Sequence, residues 1–320
     1  MECSICYVAP TYNAAFTINQ TIISIRQTAA DAFQREIPIY ILDGGSDDHT
    51  RYTVHALNKT FKNIHFIDKS GWHPAKRMNW FIDNCEHDVA MTFHADDIYS
   101  TPRRVQSAMH MLNEEAALCG SQVRYIQDPL DVAAEANLPY QGTHSTYPLS
   151  YQDILISLNF WWSISLNTLS MDIHKIRSSG VRYNYNDFKF SADYMFNFNI
   201  AEIFPVVNSS LISTITLHSG KSDGYSNLVP LYNEGQKIRQ IIRNKSGLSS
   251  QLGVAMDTVL DKLCYDQAGI NGILGKLDFT STELLCLAYK LDELKSKPGQ
   301  QMLNLFSTEV ARFATCLQNT

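Results

Sequence analysis

The turn after the first predicted strand lacks a glycine-rich stretch. It reads "APTYNAAF", whereas a strand that binds a nicotinamide dinucleotide is followed by closely spaced glycines that let the backbone approach the pyrophosphate. The chain also lacks a G-x-x-x-x-G-K-[ST] sequence, which P-loop kinases and NTPases use to hold phosphates. The sequence therefore disfavours a nicotinamide enzyme and excludes a P-loop protein.

Paired cysteines and long apolar runs are also scarce. The seven cysteines are scattered, and the one C-x-x-C motif, Cys3 with Cys6, has no second pair to complete a zinc site. Such thiols are typical of a reducing, cytosolic protein. No charged segment followed by an apolar run opens the chain, and the most apolar stretch, Ile154–Leu166, is too short to span a bilayer. We therefore expect a cytoplasmic protein.

Basic residues are outnumbered by acidic ones. The chain has 26 Lys and Arg against 32 Asp and Glu, which gives a formal net charge of −6. This balance argues against a nucleic-acid partner and disfavours strong attraction to anionic lipid. A local basic group remains, so peripheral contact with the inner face of a membrane stays open; it comprises Lys237, Arg239, Arg243 and Lys245.

Strand-like and helix-like segments alternate from residue 4 to about residue 125. This alternation predicts an α/β fold with a mostly parallel sheet, whose ligands bind beyond the carboxyl ends of the strands. Helical spacing is clearest at Ile18, Ile22, Ile25, Ala29 and Phe33. The predicted strands are "SICYVA", "IPIYIL", "IHFI", "DVAMTF" and "ALCGSQVRY".

The rest of the chain has a different pattern. Residues 126–150 are polar and rich in proline, which predicts a long loop or lid. We divide the chain into a domain of residues 1–225, with parts 1–125 and 126–225, and a helical region of residues 226–320. Whether those C-terminal helices form a homodimer, contact a membrane or cover a site stays open.

Two adjacent carboxylates, Asp96 and Asp97, follow the fourth predicted strand in "TFHADDIYSTPRRV". They are consistent with the cap of a helix that begins near Pro102. Capping needs only one carboxylate, however, and two neighbouring acids repel each other unless a cation or a donor network holds them. The pair is therefore a candidate metal or phosphate site.

The second turn, "LDGGSDDHT", places Asp43 at a strand end and two glycines directly after it. Ser46, Asp47 and Asp48 follow at the predicted start of a helix. A tight turn with a helix cap explains these residues locally, and a backbone that passes close to a ligand also explains them.

Taken together, "APTYN", "IYILDGGSDDHT" and "MTFHADDIYSTPRRV" resemble the three ordered turns of the family 2 glycosyltransferases of the GT-A fold. The "DGG" form resembles bacterial members that build surface polysaccharide or lipopolysaccharide. Three further segments, "GWHPAKRMNW", "KFSADYMFNFNIAE" and "LHSGKS", resemble later motifs of the family. The resemblance covers about residues 4–225 and makes 1–125 the nucleotide-sugar-binding part and 126–225 the acceptor-binding part.

The resemblance assigns roles on the donor side. Asp43 would accept hydrogen bonds from the nucleotide base, and Asp96, with Asp97 beside it, would serve the diphosphate through a divalent cation, Mn²⁺ or Mg²⁺. Thr11, Tyr12 and Asn13 would wall the base pocket, and Lys76, Arg77 and Asn79 belong to the same donor site. For Lys76 and Arg77, a solvated helix face remains the alternative.

The chain departs from the family pattern in two turns. His94 stands where many members have the first acid of the D-x-D motif, and Ser219 replaces a glycine of the later turn. A neutral imidazole can bind a metal, so His94 and His218 are candidate ligands and a preference for manganese is conceivable. A structural or surface role is the alternative for both histidines.

The resemblance makes Asp193 the candidate general base, which would take the proton from an attacking sugar hydroxyl and give inversion at the anomeric carbon. Its alternative is a helix N-cap. Trp161 and Trp162 are candidates for a face on which an acceptor ring packs, and a core role is the alternative.

The resemblance therefore implies an inverting, metal-dependent glycosyltransferase that uses a nucleotide-diphosphate sugar, with a uridine nucleotide expected. Its acceptor would be a glycan or a lipid-linked sugar in bacterial surface polysaccharide biosynthesis. The competing interpretation is a non-catalytic protein that binds nucleotide-sugar or scaffolds a glycan assembly complex. Retention of Asp43, Asp96, Asp97 and Asp193 favours the enzyme.

Overall fold

The computed structural model describes residues 3–33, 36–95, 97–100, 103–126, 146–149, 166–217 and, apart from positions 236, 239 and 243, residues 234–245. The strands are β1 (Ile5–Thr11), β2 (Ile39–Asp43), β3 (Ile64–Asp68), β4 (Val89–Thr92), β5 (Asp97–Ser100), β6 (Leu118–Ile126), β7 (Thr146–Leu149), β8 (Ser170–Asp172) and β9 (Val206–Leu217). The helices are α1 (Ile18–Phe33), α2 (Thr50–Thr60), α3 (Pro74–Asn84), α4 (Arg103–Asn113), α5 (Ile173–Ser179) and α6 (Ala192–Ala201).

The strands form one mixed sheet in the order β3-β2-β1-β4-β8-β6-β9-β5, and β7 pairs with β9. β1 pairs in parallel with β2 and β4, and β2 pairs in parallel with β3. Antiparallel β8 then separates this parallel half from the parallel pair β6 and β9. The predicted α/β fold with a mostly parallel sheet is confirmed, and the five predicted strands correspond to β1, β2, β3, β4 and β6.

Burial explains why the central strand sits where it does. β1 carries the run "ICYVAPT", in which six of the seven residues are buried, as expected for a parallel strand with helices on both faces. Ile18, Ile22 and Ile25 of α1 pack into the same core. Each such side chain contributes about 1.5 to 3 kcal/mol when it is fully buried.

The sequence analysis missed one strand beside the acidic pair. α4 starts at Arg103, next to the helix start expected near Pro102, but Asp97 begins β5, which pairs antiparallel with β9. The physical reason is tertiary pairing: β9 supplies hydrogen-bond partners that a local reading of "DDIYSTP" cannot reveal.

The chain separates into two compact units. The first holds the described residues from Cys3 to Pro148 and from Leu166 to Glu234, and the second includes Leu149 and the helical residues between Gly235 and Lys245. The predicted boundary after residue 225 falls outside the described residues and stays a prediction. Among the described helices, none is long and apolar enough to cross a membrane. The four described cysteines are free thiols.

Candidate active site

The carboxyl ends of β1, β2 and β4 lie side by side at one edge of the sheet. Thr11 and Asp43 are register partners at the ends of β1 and β2, and Val8 of β1 pairs with Thr92, the last residue of β4. Parallel strands therefore bring the first, second and acidic turns to the same edge, which is where ligands bind in open α/β sheets.

The first and second turns are joined by side-chain hydrogen bonds. The Asn13 amide donates to Ser46 Oγ at 2.9 Å, and the Asp47 amide donates to Asn13 Oδ1 at 3.0 Å. Asn13 has a positive φ of 48°, a conformation that Asn adopts more readily than most side chains. Tyr12 beside it is 59% exposed, so its ring is free to meet a ligand at this edge.

Asp48 adds a second connection between the same turns. Its Oδ2 accepts from the Ala15 amide at 2.9 Å, and its Oδ1 accepts from the Thr50 amide at 2.9 Å. Partial burial raises the pKa of Asp48, but the hydrogen bonds from Thr50 and Ala15 outweigh it, so its pKa lies below the ordinary value. The N-cap of α2 is His49, so Asp48 supports the helix start from one position earlier.

Asp43 shapes the second turn from inside. It is 2% exposed, and its Oδ2 accepts from the amides of Gly45 and Ser46 at 2.9 and 2.8 Å. Its Oδ1 accepts from Ser46 Oγ at 2.5 Å. Both carboxylate oxygens therefore hold the turn, and a bond to a nucleotide base, which stays a prediction, would use the remaining acceptor capacity of the same group.

Arg77 lies beneath the first two turns. Its Nη1 donates to Thr11 O at 2.5 Å and to Leu42 O at 2.6 Å, and the residue is 2% exposed. Burial lowers the pKa of Arg77 to about 10, against the opposing effect of nearby Asp43. The solvated-face alternative for Arg77 is therefore wrong. The described contacts tie together the ends of β1 and β2, and the predicted phosphate contact stays a prediction.

Lys76, one position earlier on α3, points to a different environment. Its Nζ lies 4.3 Å from the centre of the Trp72 ring. Lys69 Nζ lies 4.9 Å from the same ring and 3.9 Å from the Trp80 ring. These are cation–π distances, so Lys76 and Lys69 share an aromatic cluster beside the turns. The proposed contact of Lys76 with donor phosphates stays a prediction.

Asn79 forms a two-way contact across the fold. Its Nδ2 donates to Tyr183 O at 2.9 Å, and its Oδ1 accepts from the Tyr183 amide at 2.8 Å. This contact gives Asn79 a positioning role between α3 and the segment that precedes α6. The predicted role of Asn79 in the donor site stays a prediction.

The acidic turn is a compact loop closed by Asp97. Asp97 Oδ2 accepts from the His94 amide at 2.6 Å, and the Asp97 amide donates to His94 O at 3.1 Å. Thr17, directly before α1, supports the loop because its Oγ1 donates to Ala95 O at 2.6 Å. Asp97 is buried, so it stabilises the turn. Asp96 lies outside the described residues.

Asp193 lies in the first turn of α6, where its Oδ1 accepts from the Tyr194 amide at 2.9 Å. Desolvation raises the pKa of Asp193 above its ordinary value, while the Tyr194 amide and the charge of His94 oppose this rise. Burial and the negative charge of Asp193 together raise the pKa of Tyr183 well beyond its usual range. The fold therefore brings Asp193 within electrostatic range of the acidic turn.

Residues 6–162 match the profile of the family described as Glycosyl transferase family 2. These residues belong to glycosyltransferase family 2. The chain is therefore an enzyme of the class that transfers a sugar from a nucleotide-diphosphate sugar. No curated protein sequence matches the chain.

Solved structures support the GT-A fold of this glycosyltransferase. Residues 1–349 of S. aureus TarS in complex with UDP-GlcNAc align over 99% of this chain and 90% of that chain, with 12% identity and a TM-score of 0.58. The crystal structure of S. aureus TarS 1–349 aligns over 94% and 81%, with 13% identity and a TM-score of 0.57. A Pyrobaculum calidifontis mannosyltransferase in complex with GDP-Man and Mn²⁺ aligns over 99% and 86%, with 12% identity and a TM-score of 0.51.

Several candidate residues of this glycosyltransferase fall outside the described part of the chain. They are Asp96 and His218 of the predicted metal site and Trp161 and Trp162 of the predicted acceptor face. Within the described residues, no group of three or more His, Cys, Asp or Glu side chains is arranged to hold a metal ion. The predicted ligand His94 is described and lies partly exposed at the end of β4.

Sequence reasoning missed three residues that build the site. Ser46 bridges Asp43 and Asn13, and its place in "GGSDD" was a usable signal because Ser commonly bonds neighbouring turn groups. His73 caps α3 by accepting from the Ala75 amide, and it also contacts Lys189 O. Glu234 accepts from the amides before α6. Lys189, the second partner of His73, and the amides bound by Glu234 are distant in sequence, so no local pattern identifies those contacts, whereas the position of His73 before Pro74 is a local signal for a helix cap.

Proposed function

We propose that this glycosyltransferase is an inverting, metal-assisted enzyme that transfers a sugar from a uridine-diphosphate sugar to a hydroxyl group of a glycan or lipid-linked acceptor. In the reaction, the acceptor oxygen attacks the anomeric carbon while the bond from that carbon to the diphosphate breaks. Asp193 receives the proton of the attacking hydroxyl. A single displacement of this kind inverts the configuration at the anomeric carbon.

The observation that carries the proposal is the convergence of Asp193 with His94. Asp193 lies in the first turn of α6, 99 positions after His94 in the chain (193 − 94), yet the two side chains lie close enough to interact electrostatically. Desolvation still leaves the pKa of Asp193 above the ordinary value, which makes the carboxylate a stronger base than an exposed Asp. A base beside the turn that serves the diphosphate is the arrangement that a direct displacement requires.

The donor side of the proposal uses the two joined turns. Thr11, Tyr12 and Asn13 would surround the nucleotide, with the exposed Tyr12 ring available to contact the base. Asp43 would accept a hydrogen bond from that base while it holds its own turn. The uridine nucleotide is supported by the TarS structures, whose bound ligands are UDP and UDP-GlcNAc.

We assign a divalent cation to the acidic turn together with the later turn that contains His218. Asp96, together with His94 and His218, would hold it, and a carboxylate–imidazole set suits Mn²⁺ better than Mg²⁺. When bound, the cation neutralises negative charge on the diphosphate leaving group. The Mn²⁺ in the Pyrobaculum calidifontis mannosyltransferase complex supports this assignment. Asp97 holds the turn, and Asp96 is the metal carboxylate that the family resemblance implies.

The proposed biological setting is the assembly of bacterial surface polysaccharide or lipopolysaccharide in the cytoplasm, at the inner face of the membrane. The "DGG" form of the second turn supports it through the family resemblance. The net charge of −6 supports a glycan acceptor in preference to a nucleic acid.

The test is a thermal-shift panel of UDP, UDP-GlcNAc, UDP-glucose and GDP-mannose, each with Mn²⁺ and with a chelator, followed by a transfer assay with the ligand that stabilises the protein. A ligand that binds only the folded state at 100 times its Kd stabilises it by about 2.7 kcal/mol. We expect a uridine ligand to raise the Tm when Mn²⁺ is present. In Asp96→Asn, the part of this Tm increase that depends on Mn²⁺ should be lost. The proposal is wrong if no nucleotide shifts the Tm, or if the product retains the anomeric configuration of the donor.

A further inference from the structure

Glu234 binds three consecutive backbone amides from a distant part of the chain. Its Oε1 accepts from the Lys189 amide at 2.8 Å, and its Oε2 accepts from the amides of Phe190 and Ser191 at 2.7 and 2.9 Å. Hydrogen bonds from amides to a carboxylate are charge-assisted and stronger than neutral ones. This carboxylate therefore fixes the path of the backbone over Lys189–Ser191.

That backbone leads directly into the helix that carries Asp193. Ser191 is the N-cap of α6, and its side chain makes no capping hydrogen bond. Asp193 follows two positions later, in the first turn of the helix. A negative charge near a helix N-terminus is stabilising, and Glu234 places one beside the amides that directly precede α6.

His73 holds the same backbone from the other side. Its Nδ1 accepts from the Ala75 amide at 3.2 Å, so Nε2 carries the proton, and Nε2 lies 3.0 Å from Lys189 O. His73 is the N-cap of α3, the helix of Lys76 and Arg77. The segment Lys189–Ser191 is thus bonded both to His73 at the start of α3 and to Glu234.

We infer that Glu234 is a positioning residue that sets the placement of Asp193 for catalysis. This inference rests on the proposed function, in which Asp193 receives the acceptor proton. A base must lie within hydrogen-bond reach of the hydroxyl that it deprotonates, and small displacements of a catalytic group cost large factors in rate. Glu234 acts on turnover through the backbone and touches no substrate.

The first experiment measures, without any substrate, the hydrogen bonds between Glu234 and the amides of Lys189–Ser191. In Glu234→Gln, a neutral amide replaces the carboxylate, so the bonds to the three amides weaken. We expect amide hydrogen exchange at Lys189, Phe190 and Ser191 to become about tenfold faster, which corresponds to about 1.4 kcal/mol of lost protection. The control is Glu114→Gln, which removes an exposed carboxylate at the end of α4. Unchanged exchange in Glu234→Gln would show that the carboxylate does not hold this segment.

The second experiment separates positioning from general stability. We expect Glu234→Gln to lower kcat by about 10- to 100-fold with donor Kd within about twofold of the parent. Glu234→Asp keeps the charge on a shorter side chain and should restore part of the loss. A variant that melts earlier but keeps the parental kcat per folded molecule would overturn the inference.

The third experiment combines Glu234→Gln with Asp193→Asn. If Glu234 acts through Asp193, the double variant loses little more activity than Asp193→Asn alone, because effects of coupled residues are not additive. A loss of kcat in the double variant equal to the product of the two single losses would contradict the inference. If Asp193→Asn itself keeps full turnover, the proposed base is wrong. If Asp193→Asn is inactive and Glu234→Gln matches the parent, the proposed base stands and only the role of Glu234 falls.

Discussion

The side-chain amide of Asn79 pairs with the backbone of Tyr183 through both its nitrogen and its oxygen, at 2.9 and 2.8 Å. The Tyr183 ring in turn stacks on Phe196 of α6, with 4.0 Å between ring centres. Asn79 therefore links α3, which carries the donor-side residues, to the helix that carries Asp193.

We expect Asn79→Asp to destabilise the fold by about 1 to 3 kcal/mol, because a carboxylate cannot donate to Tyr183 O and leaves that group without its bond. Chemical denaturation measures the change. The control is Asn84→Asp on the same helix, where the exposed amide donates to Trp80 O within one turn, and we expect less than half of the effect. Equal losses in the two variants would remove the special role of the Asn79 contact.

Asp43→Ala should weaken nucleotide binding and also destabilise the fold. The family resemblance predicts the first effect, and the structure adds the second because Asp43 holds the amides of Gly45 and Ser46. Loss of charge-assisted bonds of this type costs about 1.5 to 3 kcal/mol. Calorimetry with UDP and denaturant unfolding measure the two effects.

Asp47→Ala is the matched control for Asp43, because Asp47 lies exposed in the same turn and its backbone amide, which the substitution keeps, makes the bond to Asn13. It should leave both quantities near the parental values. If Asp43→Ala unfolds at the parental denaturant concentration, the turn does not depend on its carboxylate.

The sequence predicts the parallel strands β1 to β4 well and misses the antiparallel strands β5 and β8. β1, β2, β3 and β4 are apolar runs bounded by turn residues, so hydrophobic pattern and length identify them. β8 has only three residues, Ser170–Asp172, and β5 begins with one of the two adjacent acids, Asp97. Their pairing depends on β4, β6 and β9, which no local window contains.

The candidate site divides in the same way. Asp43 and Asn13 are recognisable because each lies at a strand end within a family motif, and the register of β1 and β2 brings those ends together. The partners of Arg77 and Asn79 are backbone groups, and every residue offers the same backbone groups. Sequence reasoning therefore identifies which polar residues lie near the carboxyl ends of the strands. The hydrogen bonds that these residues make can be identified only from the tertiary structure.

Gly44→Ala should destabilise the second turn. A Cβ at this position would lie 2.9 Å from Arg77 Nη1 and 3.1 Å from Arg77 Nη2. The guanidinium cannot simply move away, because Nη1 is bonded to Thr11 O and Leu42 O. Overpacking of this kind costs about 1 to 3 kcal/mol, and denaturant unfolding measures it.

The second half of this test uses Arg77→Met. That substitution removes the guanidinium, so Gly44→Ala should then cost much less than it does in the parent, as coupled neighbours do. An equal penalty in both backgrounds would mean that the close approach to Arg77 does not explain why glycine occupies position 44.

The parent protein should lose stability in the acidic range as His73 becomes protonated. Desolvation lowers the pKa of His73, with an opposing effect from the bond to Lys189 O and a further lowering by Arg77. The unfolded chain therefore binds this proton at higher pH than the native protein does. The contribution of neutral His73 to the free energy of unfolding is complete above about pH 6.5. It is lost as the pH falls from there through the lower pKa of His73 in the native protein.

His73→Asn tests this dependence, because Asn can still cap α3 but does not titrate. The free energy of unfolding, measured from pH 7.5 to pH 5, should fall less in His73→Asn than in the parent. His87 also has a pKa lowered by desolvation, so His87→Asn is the comparison that isolates the share of His73. Identical slopes in His73→Asn and the parent would contradict the assignment.

Asp193→Asn should abolish most catalysis and spare donor binding. The substitution keeps the shape of the side chain and removes its basicity, so we expect kcat to fall by about 10²- to 10⁴-fold while the Kd for the donor changes little. Because desolvation raises the pKa of Asp193, the acidic limb of the parental kcat profile should lie above the ordinary Asp value of about 3.9. Activity is lost as the pH falls through that raised pKa, since protonation removes the base. Asp187→Asn is the control, because Asp187 is exposed and bonds only to neighbouring Asn184 among the described residues. If Asp187→Asn loses turnover and Asp193→Asn keeps it, the base is Asp187.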